Sequence, residues 1–146
     1  MLFFYRISGS ECVEQTLPDV PSWHSEDTVR ITPILAAHGV DVLDVSSGGN
    51  NSKQKIIPGP AYQSPLAHAV KSTNPGLLVA TVGGITDGHM AEGMLEDGLA
   101  DVVLCSRAFQ QNPGLMLRYA QDLDVDIHLA HQIQWGYRRS RRGKVN

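Results

Sequence analysis

The chain has 146 residues, of which 42% are hydrophobic and 18% charged, with a formal net charge of −3. This composition is typical of a globular protein and argues against a disordered or membrane-bound one. Five of the 12 basic side chains lie in the last nine positions, which leaves 7 basic against 15 acidic side chains in residues 1–137. Nucleic-acid binding depends on neutralising phosphates, so the acidic body is not expected to bind DNA or RNA.

The N-terminus, the cysteines and the tail bear on location. Met1–Tyr5 is apolar but short, has no basic leader and runs straight into Arg6, so we expect a strand and not a signal peptide. Cys12 and Cys105 lie far apart, which favours reduced thiols in the cytoplasm over a disulfide framework. The basic tail, 138–146, is expected to be a solvated C-terminus, with a nuclear signal or an RNA contact as alternatives.

The chain opens with a predicted strand over Leu2–Ile7, which Ser8-Gly9-Ser10 closes. A long polar connection, Glu11–His24, follows it. Ser25 is the predicted N-cap of the first helix, which ends near Gly39. Pro33 lies inside it and predicts a kink or a helix in two pieces. The expected apolar stripe of this helix consists of Val29, Ile34 and Leu35.

Three more strands are predicted, each followed by small or polar residues. The second covers 39–45, and a helix capped by Ser64 then runs to about Ser72. The third strand, Leu77–Val82, ends in Gly83-Gly84, and Thr86 or Asp87 caps the helix beyond it. The fourth strand covers 101–105, and the last helix is expected from 112–113 to about 123.

Strands that alternate with helices imply parallel pairing, because parallel strands need a crossover connection. A faint repeat supports this order, since Gly39 and Gly98 each precede an acid and a β-branched strand. Four such units are half of a (β/α) barrel, which typically needs roughly 250 residues. Periodicity alone fits a barrel wall and an open, doubly wound sheet equally well.

Two of the strand ends suggest a phosphate site. Gly83-Gly84 permits a close approach to the backbone next to a helix N-terminus, although a tight turn needs no ligand. Ser106-Arg107 follows the fourth strand and offers a hydroxyl, an N–H group and a guanidinium that binds phosphate bidentately. Phosphate sites built from the loops after the last two strands recur in βα barrels.

Four motifs in this order resemble the old yellow enzymes, the NADH:flavin oxidoreductases, in the branch similar to the xenobiotic reductases. The motifs are Arg6-Ile7-Ser8, Asp44-Val45-Ser46-Ser47-Gly48-Gly49, Val82-Gly83-Gly84-Ile85 and Leu104-Cys105-Ser106-Arg107 with Asn112-Pro113. The resemblance covers about Phe3 to Tyr137 and implies the C-terminal half of a TIM-type (β/α) barrel, with about four β/α units over 1–137. It also implies FMN as cofactor and NADPH or NADH as the hydride donor to an activated alkene or similar acceptor.

The resemblance implies a role for each strand end. Arg6 lies beside the flavin ring, where negative charge develops on reduction; the alternative is an ion pair with Asp44. The residues that line the cofactor cavity are Ser46, Ser47 and Gly48. The residues that hold the ribityl phosphate are Gly83, Gly84, Ser106 and Arg107.

The sequence departs from the family at several points. The family usually has glycine where Ser106 stands, and a positive φ at this serine would be strained. Trp135 occupies the place where some relatives offer an arginine to a neighbouring subunit, so that contact is not expected, and the indole is a candidate dimer anchor. The family's ring anchors, carbonyl donors and tyrosine proton donor belong to the first half of the barrel, so no catalytic residue is predicted here.

The sequence therefore predicts an FMN-dependent NAD(P)H oxidoreductase present as a fragment with the FMN phosphate site. The alternative is an inactive half-barrel that binds FMN or phosphate and self-associates through its exposed strand edges. A third interpretation, another phosphate-binding barrel enzyme, explains the phosphate loops but not the other two motifs. His128 and His131 have no further ligand for a metal, so no metal site is expected.

Overall fold

The computed structural model describes residues 1–137, and the predicted basic tail, 138–146, lies outside the described residues. Strands and helices alternate through most of this range. In chain order they are β1 (Phe4–Ser8), α1 (Ser25–Ala37), β2 (Val42–Ser46), α2 (Ser64–Thr73), β3 (Leu78–Val82), α3 (Gly88–Glu96), β4 (Val102–Leu104), α4 (Arg107–Gln111), α5 (Leu115–Asp122) and α6 (Gln134–Tyr137). All four predicted strands are present.

The four strands form one parallel sheet in the order β1-β2-β3-β4. In its register Arg6 lies beside Asp44, Asp44 beside Ala80, and Ala80 beside Val102. Strands that follow each other in sequence are thus neighbours in space, whereas a doubly wound sheet reverses its order at a switch point. The described sheet is an α/β arrangement compatible with part of a (β/α) barrel.

The hydrophobic core lies between the sheet and its helices. Leu43, Val45 and Val79 pack with Ala67 and Val70 of α2, and all five are buried. Because side chains alternate along a strand, Arg6 and Asp44 belong to the opposite face of the sheet. The fold therefore separates an apolar, helix-covered face from a face that bears an ion pair.

The first helix differs from the sequence prediction in three respects. Helix α1 runs continuously across Pro33, so the prediction of a helix in two pieces is wrong. Proline has no N–H group to donate to the carbonyl one turn earlier, but Pro33 is exposed, so water can donate to that carbonyl instead. His24, not Ser25, is the N-cap, because Asp27 accepts a hydrogen bond from the His24 N–H at 3.0 Å. Of the expected apolar stripe, Val29 and Leu35 pack against the core, whereas Ile34 is 57% exposed. The fully buried positions of α1 are Thr28 and Thr32.

The later helices also refine the prediction. Gln63, not Ser64, is the N-cap of α2, with proline in its first turn. Asp87 is the cap of α3, since its carboxylate accepts from the Met90 N–H at 2.9 Å. The short helix α4 was not predicted, and α5 begins only at Leu115. Within residues 1–137, no helix has both the length and the apolar character needed to cross a bilayer.

Candidate functional site

A pocket of about 420 Å³ opens at the carboxyl ends of β1, β2 and β3. This edge of a parallel sheet is where α/β proteins bind ligands. The residues that line the pocket are Arg6, Ile7, Ser8, Ser46, Ser47, Gly48, Asn50, Gln63 and Val82. Four of the eight predicted cofactor residues, Arg6, Ser46, Ser47 and Gly48, therefore meet at one cavity.

Arg6 contributes the positive charge of the pocket. Its Nε lies 2.6 Å from Oδ2 of Asp44, so the ion pair that the sequence left as an alternative is present. The pair engages Nε, and the Arg6 side chain, which lines the pocket, is 62% exposed against 8% for Asp44. The ion pair thus fixes the arginine stem while the guanidinium stays open to solvent, and the two interpretations of Arg6 are compatible.

Gln63 is a pocket residue that the sequence prediction missed. Its amide is buried, accepts a hydrogen bond from the Ser47 Oγ at 2.9 Å and donates one to the Val82 carbonyl at 2.9 Å. It therefore ties the end of β2 to the end of β3. Its place directly before the predicted start of α2 was the one sequence feature that pointed to it, since residues at helix N-termini often border ligand sites, but that feature does not distinguish a buried glutamine from an exposed one. Asn50, in the loop after β2, was also missed.

The two glycines after β3 have positive φ angles of 105° and 71°. A Cβ at Gly83 would lie 2.5 Å from Nε2 of Gln63, and one at Gly84 would lie 1.9 Å from the Gly59 carbonyl oxygen. The close approach that requires glycine here is made by the chain itself, as in the tight-turn interpretation. Neither glycine lines the pocket described above, although Val82, directly before them, does.

Ser106 and Arg107 follow β4 and begin the short helix α4. Both are exposed, and neither lines the pocket. Ser106 has φ −96°, so the strain that a positive φ would bring to a serine does not arise. They follow β4, which is the strand next to β3, and Gly83-Gly84 follows β3.

Cys105, at the end of β4, packs against α5. Its Sγ lies 3.6 Å from the Tyr119 hydroxyl, which itself lies 3.5 Å from the Ile85 carbonyl oxygen. Burial, followed by the contact with Cys105, raises the pKa of Tyr119 above its ordinary value. Tyr119 is therefore a neutral phenol that helps to hold the loop after β3 against α5.

The loop after β1 is held by α1. The Thr28 hydroxyl donates toward the Gly9 carbonyl at 3.2 Å and accepts from the Trp23 Nε1 at 2.7 Å. A Cβ at Gly9 would lie 2.9 Å from a Val45 methyl group, so this loop packs directly on β2. The backbone that follows Arg6 is thereby fixed next to the pocket.

The donor set of the pocket fits a flavin nucleotide in part. It combines an exposed guanidinium with three serine hydroxyls and a buried amide, which suits a polar ligand with negative charge near Arg6. Asp44 Oδ1 is a buried acceptor without a partner among the described residues. The predicted phosphate residues lie on adjoining strand ends outside this cavity, so the fit concerns the ring and the polyol chain.

The remaining candidates from the sequence are the histidine pair and Trp135. Across residues 1–137, no three His, Cys, Asp or Glu side chains form a group able to hold a metal ion. His128 and His131 stack edge to face, with ring centroids 6.5 Å apart. Trp135 is 73% exposed on α6, so its role as a dimer anchor stays a prediction.

The fold and the pocket define an α/β protein with a polar pocket at the carboxyl ends of parallel strands. No protein-family model matches the chain. Over 146 aligned residues it is 48% identical to an NADH:flavin oxidoreductase of Gibberella zeae, a match that covers 95% of this chain and 35% of that protein. It is 32% identical to an NADPH dehydrogenase of Geobacillus sp. WCH70 and 29% identical to that of Bacillus subtilis, in each case over 92% of this chain and 37% of the relative.

The chain belongs to the family of the NADH:flavin oxidoreductases and NADPH dehydrogenases. It spans just over a third of the length of the curated relatives it matches. The resemblance inferred from the four strand-end motifs is thereby confirmed, and the names of these relatives are those of oxidoreductases.

Proposed function

We propose that this chain provides the FMN-binding strand ends of an NAD(P)H-dependent flavin oxidoreductase with a (β/α) barrel. The observation that carries the proposal is the pocket at the ends of three neighbouring strands, with Arg6, Ser46, Ser47 and Gly48 in its wall. When bound, FMN would supply the hydride chemistry, from NADPH or NADH to an activated alkene or a similar small-molecule acceptor.

Each strand end has a distinct task in this proposal. Arg6 stays protonated at any physiological pH, and its charge would stabilise negative charge on a reduced ring. The loop with Ser46, Ser47 and Gly48 would line the middle of the cofactor. The groups that would hold the phosphate are Gly83, Gly84, Ser106 and Arg107. This chain would therefore bind and orient the cofactor, and no residue of it is assigned a catalytic role.

A second candidate is a half-barrel that binds FMN or phosphate without reductase activity and associates with itself. The observation that favours it is the sheet, in which β1 and β4 each have a single strand neighbour among residues 1–137. For either candidate we propose a cytoplasmic location, which agrees with two free cysteines, Cys12 and Cys105.

Flavin binding with a phosphate control tests the proposal. FMN and riboflavin are titrated into the purified chain and into the variants Arg107→Ala and Arg30→Ala, and flavin fluorescence is followed. We expect Arg107→Ala to weaken FMN binding about tenfold or more, as for loss of a charged hydrogen bond, and to leave riboflavin binding unchanged. Arg30, an exposed arginine of α1, is the matched control and should change neither affinity.

Equal losses for the two flavins would remove Arg107 from the phosphate site, and no flavin binding by the unaltered chain would overturn the proposal. Adding NADPH without oxygen then separates the two candidates. Bleaching of the bound flavin indicates a reductase, whereas bound flavin that keeps its colour indicates a binding module.

A further inference from the structure

The side chain of Gln63 bridges two strand ends in the lining of the pocket. Its Oε1 accepts a hydrogen bond from the Ser47 Oγ at 2.9 Å, and its Nε2 donates to the Val82 carbonyl at 2.9 Å. The residue is only 4% exposed. A buried amide with both ends engaged has one stable orientation, because reversing it would break both hydrogen bonds.

Elementary donor and acceptor rules fix that orientation. The Val82 carbonyl can only accept, so the amide end that faces it must be the NH₂ group. The carbonyl end of Gln63 then faces Ser47 and can only accept. The Ser47 hydroxyl has a single proton, and that proton is committed to Gln63. Only lone pairs of the Ser47 oxygen are therefore left for a ligand in the pocket.

We propose that Ser47 is a dedicated hydrogen-bond acceptor, with its polarity set by Gln63, and that it recognises a hydroxyl of the polyol chain of the ligand. The inference rests on the proposed function, since it takes the ligand to be a flavin nucleotide. Ser47 makes the contact, and Gln63 is a positioning residue that acts through it.

The strand order indicates which part of the ligand meets Ser47. β2, which precedes Ser47, lies between β1 with Arg6 and β3 with Gly83-Gly84. A ligand with its charged ring edge at Arg6 and its phosphate beyond β3 must cross the end of β2 with its middle portion. That portion of a flavin nucleotide is a chain of hydroxyls, which are the donors that an acceptor-only oxygen requires.

The same polarity rejects the phosphate at this position. A phosphate oxygen placed on Ser47 would meet lone pairs with no proton between them, which is repulsive in a partly buried site. The glycine at position 83 belongs to the same arrangement, because a Cβ there would lie 2.5 Å from Nε2 of Gln63 and displace the amide. Ser47, Gln63 and Gly83 together thus determine that this part of the pocket accepts hydrogen bonds.

Three flavins that differ by one part each test the proposal: lumiflavin without the polyol, riboflavin with it, and FMN with polyol and phosphate. Each is titrated into the unaltered chain, Ser47→Ala, Gln63→Met and the double variant. We expect Ser47→Ala to weaken riboflavin and FMN binding by about three- to tenfold and to leave lumiflavin binding unchanged. Gln63→Met should produce the same selective loss, and the double variant should lose no more than the worse single variant.

Matched controls are Ser72→Ala and Gln121→Met, which alter exposed residues of α2 and α5 and should bind all three flavins like the unaltered chain. Circular dichroism and thermal unfolding establish that each variant is folded. If Gln63→Met does not fold, the comparison of the three flavins with Ser47→Ala still tests the contact between Ser47 and the polyol. An equal loss for lumiflavin, or losses that multiply in the double variant, would overturn the inference while FMN binding still supported the proposed function. If the unaltered chain bound none of the flavins, both would fail.

Discussion

At the scale of single residues, the ion pair between Arg6 and Asp44 is unequal. The Asp44 side chain is nearly inaccessible, and its second oxygen, Oδ1, has no partner among the described residues. The Arg6 side chain is largely exposed. A buried carboxylate depends on its cation far more than an exposed guanidinium depends on its anion, because water can solvate only the latter.

This asymmetry predicts unequal effects on stability. Arg6→Met leaves the buried Asp44 charge uncompensated, and we expect it to lower the free energy of unfolding by about 3 kcal/mol. Asp44→Asn keeps an acceptor near Arg6, which can turn to solvent, and should cost about 1 kcal/mol. Urea unfolding at pH 7 measures both. Arg30→Met, which removes an exposed pair with Asp27, should cost less than either.

Equal costs for Arg6→Met and Asp44→Asn would contradict this account of the pair. That result would mean that the Asp44 carboxylate is solvated in solution. The ion pair would then not hold the Arg6 side chain in place at the pocket.

Single residues also mark the limit of prediction from the sequence. Arg6 and Ser47 could be assigned to a site because each belongs to a strand-end motif: Arg6 lies in β1, and Ser47 directly follows β2. Gln63 could not, because its partners lie 16 and 19 residues away in sequence and its role depends on the two strand ends being neighbours. A buried glutamine before a proline-started helix looks the same in sequence as an exposed one.

At the scale of elements, two glycines of α3 have opposite surroundings. A Cβ at Gly88 would lie 2.7 Å from the backbone oxygen of Tyr119, so α3 and α5 pack with glycine between them. The Gly88 N–H also donates to Asp122 Oδ2 at 3.1 Å. At Gly93, in the same helix, a Cβ would meet nothing within 4 Å.

The two glycines should therefore respond oppositely to alanine. Gly88→Ala would push backbone against backbone, and we expect a loss of about 2 kcal/mol in the free energy of unfolding. Gly93→Ala adds a methyl group in open space and reduces chain entropy in the unfolded state, so a gain of roughly 0.5–1 kcal/mol is expected. Thermal and urea unfolding of the two variants check this, and a Gly88→Ala variant as stable as the unaltered chain would rule out close packing of α3 on α5.

Elements were predictable where hydrophobic pattern and caps agree. All four strands are β-branched or apolar runs, and Asp87 caps α3 as one of two expected residues. The inner face of α1 was predictable only in part: Val29 and Leu35 of the expected stripe pack against the core, but the fully buried residues are Thr28 and Thr32, with their hydroxyls bonded to backbone carbonyls. Polar residues that bury themselves in this way give no hydrophobic signal.

At the scale of the whole molecule, the choice between an open sheet and a barrel rests on strand order. Alternating strands and helices in the sequence predict parallel pairing for both architectures, because each needs crossover helices. Only the spatial order can distinguish them, and the order β1-β2-β3-β4 is compatible with part of a barrel wall. Sequence periodicity predicts whether each element is a strand or a helix, but it does not predict which strands become neighbours in the sheet.

The strand order β1-β2-β3-β4 makes β1 and β4 the edge strands of the described sheet. Within residues 1–137, β1 pairs with β2 alone and β4 with β3 alone, so each presents one row of backbone donors and acceptors. The N-terminal edge is also apolar, since Phe3, Phe4 and Tyr5 are all exposed. Unprotected apolar edges favour strand addition by another chain.

We therefore predict that the purified chain self-associates through β1. Sedimentation velocity at increasing concentration should show species larger than a monomer, and Phe4→Lys should shift them toward the monomer, because an edge lysine opposes strand addition. Ile34→Lys places the same charge on an exposed apolar residue of α1, away from the edge, and should leave the distribution unchanged. An equal effect of the two lysines would point to general solubility instead of the edge, and a monomer at all concentrations would show that β1 is not a docking edge.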